Sequence, residues 1–213
     1  MNPRPDYESL KELARQKRAQ YNVLTKDLNL IVVRKIYGAE GIRIDPWKFP
    51  RTIRAAYMSD DADSSVAINK TLPREPKLFS LIHELKHHYV DKQLIEDGKI
   101  RCGDYNANQV IEVGAEVFAA EFIFPESEFL DCLQGLNVQI GQCSPEDVVR
   151  LKRDCGACVS YQFLRKRLTR MGFASESTLH GVQYQKLEEK MFGVPIYKQA
   201  WFKSYRARRS SNK

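Results

Sequence analysis

His83-Glu84-Leu85-Lys86-His87 sets two imidazoles four residues apart with a carboxylate next to the first. On a helix, residues four apart lie on one face, so both rings can reach one ion while Glu84 points beside it. A catalytic zinc needs this spacing: two His ligands, an activated water, and a carboxylate to take the water's proton. The bland alternative is an exposed helix that happens to carry two His.

The neighbouring residues favour the first reading. Leu78, Phe79, Leu81, Ile82, Leu85 and Tyr89 form a broad apolar stripe at helical spacing. Pro73 and Pro76 lie upstream, where a helix can begin, and Gly98 downstream supplies a stop. The two His sit at the margin of a buried stripe, where a polar group needs a partner. A metal ion would be that partner.

Three protein ligands and one open position make a catalytic zinc site. The third ligand is expected from the run between Gln109 and Pro125, which also predicts a helix. Val110, Val113, Val117 and Phe118 cover much of its surface, so a carboxylate there is costly unless paired or metal-bound. Glu112 and Glu116 are four apart on one face, with Ala119 and Ala120 continuing that side. Periodicity alone does not choose between them.

The two segments together resemble the ImmA/IrrE metallopeptidases, zinc proteins of bacteria and their mobile elements, several of which cleave or inactivate helix-turn-helix repressors. The resemblance rests on His83, Glu84, Leu85 and His87, then Glu112, Ala115, Phe118, Ala119, Ala120, Glu121 and Pro125, and runs loosely from about residue 25 to about 173. It implies His83, His87 and Glu112 as ligands of one zinc per chain and Glu84 as general base. By analogy it places Glu116 behind the ligands, and Asp91 is expected there as well. Gly114, Phe124 and Asp91 depart from the family's usual residues; they leave the ligands in place and bear on substrate choice. Oxyanion stabilisation needs a further donor, for which His180 and Tyr184 are the downstream candidates.

With 213 residues, 43% hydrophobic and 29% charged, the chain matches an ordinary soluble protein able to bury a sizeable core. The longest aliphatic run, Leu30 to Val33, is far too short to span a bilayer. The start lacks the apolar core of a secretory signal, so a cytoplasmic location without membrane contact is expected. Five Cys fit reduced thiols better than a disulfide framework, and Cys155-Gly-Ala-Cys158 reads as two buried or half-buried thiols at a helical turn. The net charge of +7 is concentrated in a tail: six basic residues and no acidic one follow from Lys198, which leaves +1 for residues 1–197.

Residues 6–21 predict an amphipathic helix, and short β-like runs follow at Ile42–Asp45, Ile53–Met58 and Ser65–Asn69. In thermolysin-like folds a small sheet precedes the metal-binding helix and its edge strand holds an extended substrate; Ser65–Asn69 is the best placed segment. Further on, Ser144-Pro145 caps one helix, and another runs from Val159 or Ser160 to about Met171. This pair resembles a helix-turn-helix that could meet DNA through Arg165, Lys166 and Arg167, although a structural helical extension is favoured.

The fold expected is therefore α+β: a thermolysin-like (gluzincin) core with a small antiparallel-type sheet, a metal-binding helix and a helical C-terminal part. Its divisions are 1–24, an N-terminal helix; 25–143, the metallopeptidase core; 144–180, the helical extension; and 181–213, a C-terminal segment with the basic tail. The function expected is zinc-dependent endoproteolysis of a helix-turn-helix repressor, relieving repression. The alternative is a non-proteolytic regulator that binds a repressor, or binds DNA through the helical extension. Glu84 favours the enzyme, because a structural zinc has no use for a base there.

Overall fold

The three β-like runs become one sheet. In the computed structural model, which describes residues 7–50, 52–60, 63–100, 109–195 and 198, β1 spans Ile42–Trp47, β2 Ala55–Ser59 and β3 Ser64–Asn69. The spatial order is β1-β3-β2. β2 and β3 pair antiparallel, with Ala55 opposite Ile68 and Ser59 opposite Ser64. β1 pairs with β3 in parallel, with Ile42 opposite Ser64. The sheet is thus mixed, not antiparallel-type, because the β2–β3 hairpin folds back so that β3 lies beside β1. β3 is central, its main chain is engaged on both sides and all six of its residues are buried, so Ser65–Asn69 cannot be a substrate-holding edge. Asn69 ties down the preceding loop as well, donating from its side chain to the carbonyls of Phe49, Pro50 and Ile53.

Ile42, Ala55, Tyr57, Val66 and Ile68 alternate along the strands and turn one sheet face into the core. Helices complete it. α1 (Tyr7–Gln20) is the expected amphipathic helix, and α2 (Leu30–Ala39) uses the aliphatic run that sequence had marked only as too short for a membrane. Asn29 starts α2 by accepting the N–H groups of Ile31 and Val32, and Val33, Ile36 and Tyr37 become buried. α3 (Arg74–Lys86) widens into a π-helical turn at His87–Asp91, continues as α4 (Lys92–Glu96), and stops before Gly98, whose φ of +67° suits glycine. α5 (Gln109–Ile123) lies between α1 and α3. Then come α6 (Glu126–Gly135), α7 (Pro145–Asp154), α8 (Tyr161–Arg170), α9 (Glu176–Leu179) and α10 (Tyr184–Phe192). Ser144 and Asp147 form a reciprocal capping box at the start of α7. One cluster of buried side chains runs from Ala14 in α1 to Tyr184 in α10. No helix among the described residues is long and apolar enough to cross a membrane.

The C-terminal end of α5 is capped by two arginines. Arg18 donates to the carbonyl of Phe122, and Arg167 to those of Ala120 and Phe124. Both sit where unsatisfied carbonyls and the helix dipole favour cations. Arg167 also faces the buried Glu121, which Arg15 holds from the other side. Arg165 pairs with Glu176 at 2.7 Å and Lys166 with Glu116 at 3.3 Å. The three cations considered as DNA contacts are therefore engaged within the chain. The basic tail lies outside the described residues, apart from Lys198, which pairs with Glu189. Arg167→Met should cost roughly 3 kcal/mol, the lower end for breaking a buried pair because Arg15 remains on Glu121. That is a fall in melting temperature of about 6–12 °C, read by thermal unfolding.

Among the described residues, Cys132, Cys143, Cys155 and Cys158 are free thiols. Cys155 and Cys158 are half-buried, at the turn after α7. Burial pushes all four thiols up, Cys143 to about 12. Since the thiolate is the reactive form, alkylation of the native chain at neutral pH should be slow at all four and slowest at Cys143. Peptide mapping of the labelled chain tests this; fast labelling of Cys155 or Cys158 would restore a redox reading.

Candidate metal centre

Two helices build the site. The apolar stripe of α3 is buried as expected, with Leu78, Leu81, Ile82 and Leu85 at 2% exposure or less. It fixes the roll of the helix, and the Tyr37 hydroxyl fixes it further by donating to the carbonyl of Leu81. His83 and His87 then face α5. On α5 the buried small residues Ala115 and Ala119 allow close approach, and Glu112 projects from the first turn.

His83, His87 and Glu112 meet, each offering one ligand atom, all within 4.8 Å of one another. His83 Nε2 lies 3.0 Å from Glu112 Oε2 and 3.3 Å from His87 Nε2, and His87 Nε2 lies 3.9 Å from Glu112 Oε1. Tetrahedral coordination with bonds of about 2.0–2.1 Å separates neighbouring ligand atoms by roughly 3.3 Å. The three residues fit a metal ion on that ground. Side-chain exposure is 1% for His87, 5% for Glu112 and 14% for His83, so the site is reached from the His83 side.

Behind these three residues the structure is specific. His87 Nδ1 lies 2.7 Å from Asp91 Oδ2, which directs Nε2 toward the site. Glu116 takes another place: its carboxylate bonds to Lys166, although its charge is near enough to act on His83. Burial pulls the His83 pKa down, but the hydrogen bond to Glu112 and the charges of Glu84, Glu112 and Glu116 outweigh it, so the net shift is upward.

Glu84 is buried at the base of the site, and its Oε2 accepts the backbone N–H of Tyr57 at 2.9 Å. Burial raises its pKa; the adjacent His83 and His87 and the Tyr57 N–H partly offset the rise. The Tyr57 N–H points away from β3, so β2 is the strand whose outer edge meets the site. The Tyr57 hydroxyl in turn contacts His88 Nδ1 at 2.9 Å. Sequence reasoning passed over Tyr57, His88 and Lys86. His88 is the only one with a visible signal, as a third His beside the motif.

His180 and Tyr184 have other surroundings. His180 is exposed at the end of α9, while the Tyr184 hydroxyl donates to the carbonyl of Leu179 and its ring stacks on Tyr161. Neither has a described contact with His83, His87 or Glu112. A cavity of about 420 Å³ lies beside the site, between α3, α5 and α8, lined by Phe79, Glu116, Val117, Cys158, Phe163 and Arg167 among others. It begins one turn from each ligand helix contact: Phe79 precedes His83 by four residues, with ring centres 6.4 Å apart, and Glu116 follows Glu112 by four.

A family model described as the IrrE N-terminal-like domain, Peptidase_M78, matches residues 41–169, from β1 to the end of α8. No curated protein matches the chain.

Proposed function

The chain belongs to the IrrE N-terminal-like domain family, Peptidase_M78, and we propose that it is a zinc-dependent endopeptidase that works in the cytoplasm on a helix-turn-helix repressor. The observation that carries the peptidase reading is the convergence of His83, His87 and Glu112 with a buried, non-ligating carboxylate, Glu84, alongside. Two imidazoles and one carboxylate suit zinc and leave a coordination position open.

Zinc held by those three residues would supply the Lewis acidity that activates a water and polarises the scissile carbonyl. The proton steps fall to Glu84, which takes the attacking water's proton and delivers it to the leaving amine nitrogen. The Tyr57 N–H engages one oxygen of Glu84 and leaves the other for the proton. β2, whose outward edge meets the site at Tyr57, takes the role of holding the substrate extended.

The repressor as substrate class rests on the resemblance of the motif-bearing helices to enzymes that cleave such proteins. Binding without cleavage would not need Glu84, and Arg165, Lys166 and Arg167 are spent on intramolecular partners. The test is to incubate the zinc-loaded protein with the helix-turn-helix repressor encoded beside its gene. Discrete fragments that disappear on chelation are expected; a repressor that stays whole would refute the substrate assignment.

A further inference from the structure

Lys86 is the unexplained charge of the site. It stands inside the motif, is 3% exposed, and is not placed to ligate a metal. Its Nζ donates to Asp91 Oδ2 at 2.6 Å and to the carbonyl of Ile111 at 3.2 Å. Asp91 Oδ2 is the same oxygen that contacts His87 Nδ1. Ile111 is the residue before Glu112. One ammonium therefore joins the partner of a ligand on α3 to the backbone carrying the ligand on α5.

The backbone is shaped to allow this contact. Lys86 and Asp91 are five residues apart, a spacing that a regular α-helix turns to different sides. The π-helical turn at His87–Asp91 follows an i to i+5 pattern and brings them together. On the other helix the Lys86 stem packs at Gly114: a Cβ there would meet it at 3.6 Å, an ordinary contact, and Leu10 Cδ1 at 3.0 Å. Glycine within a helix costs roughly 0.5–1 kcal/mol relative to alanine; the tight neighbour here is Leu10 of α1, while the Lys86 stem is at ordinary contact distance. A buried Lys with a single carbonyl would be costly; with Asp91 and Ile111 it is satisfied.

We infer that Lys86 is a positioning residue for the metal: it locks the Asp91 carboxylate against His87 and ties α3 to α5 beside Glu112. This rests on the metal-site reading above. A cycle of Lys86→Met, Asp91→Asn and the double variant tests it, reading zinc affinity by competition with a chromophoric chelator and folding by circular dichroism. Lys86→Met should weaken zinc about ten- to a hundred-fold, the range for residues that orient ligands, and should have little further effect once Asp91 is Asn. A merely structural lysine would lower the melting temperature without changing zinc affinity, and that result would overturn the inference. So would equal losses from Lys86→Met with and without Asp91. If Lys86→Met does not fold, Lys86→Gln, which keeps an N–H donor, carries the same test and the same two overturning results. A wild-type chain that takes up no zinc would overturn the metal reading itself, whereas tight wild-type binding matched by the Lys86 variants would overturn this inference alone.

Discussion

Glu84→Gln protein should keep its fold and its zinc and lose peptide cleavage by about 10²–10⁴-fold, the usual worth of a positioned acid–base group. Glutamine preserves the side chain's size and can still accept the Tyr57 N–H, now 2.9 Å from Glu84 Oε2. What it loses is the capacity to hold the water's proton. The proposed metal ligands, His83, His87 and Glu112, are left as they were. Metal content and cleavage rate measured on one preparation therefore separate the roles. Cleavage at the wild-type rate would refute Glu84 as base; a variant that still silences the repressor without cutting it would favour binding as the activity. Stability offers an independent check in chelator. Burial raises the Glu84 pKa above 4.5, so between the unfolded and folded values the folded chain binds more protons than the unfolded one. The contribution of Glu84 to stability therefore falls as pH rises through that window. Glutamine does not titrate, so the variant should lose that part of the fall, seen as a higher melting temperature than wild type above the window.

The placement of the motif residues was legible because it is local. His83, Glu84 and His87 lie within one helical turn and a little more, and 3.6-residue periodicity is enough to place them on one face. The helix of Glu112 was legible from its apolar run and its stop at Pro125. Periodicity could not choose Glu112 over Glu116, since both share a face; the family resemblance favoured Glu112, and the docking of α5 on α3 sends that carboxylate to His83 and the other to Lys166. α2 was missed because four consecutive aliphatics show no alternation of polar and apolar positions, and its start depends on a single Asn29 cap. The mixed sheet was missed because strand order is set by long-range pairing, to which composition within each strand is blind. The Lys86–Asp91 contact depends on a π-helical turn, and a reading built on regular helical periods places those two residues apart. Backbone groups are the deepest omission. The Tyr57 N–H that holds Glu84 carries no side-chain identity at all, so no residue pattern could have announced it.

Removal of the ligands should give the largest loss of metal. Purified wild-type protein is expected to hold about one zinc per chain, and His87→Ala to lose most of it. Structural zinc sites bind with apparent energies of about 10–16 kcal/mol. Shared among three or four ligands, that is roughly 3–4 kcal/mol each, or on the order of 10²–10³ in Kd. His87→Ala falls at the upper end, because it removes the most buried ligand and strands Asp91 and Lys86 without their partner. Glu112→Gln should follow closely, since Glu112 Oε2 sits 3.0 Å from His83 Nε2 and supplies the only negative charge among the three ligands. Glu116→Gln should weaken zinc by less than about ten-fold, the lower bound for residues that orient ligands, because its carboxylate bonds Lys166 and reaches the site only through its charge. Chelator competition on the three variants ranks them directly. Glu116→Gln losing more zinc than Glu112→Gln would exchange the two roles, and full occupancy in a His83/His87 double variant would show that the metal is held elsewhere.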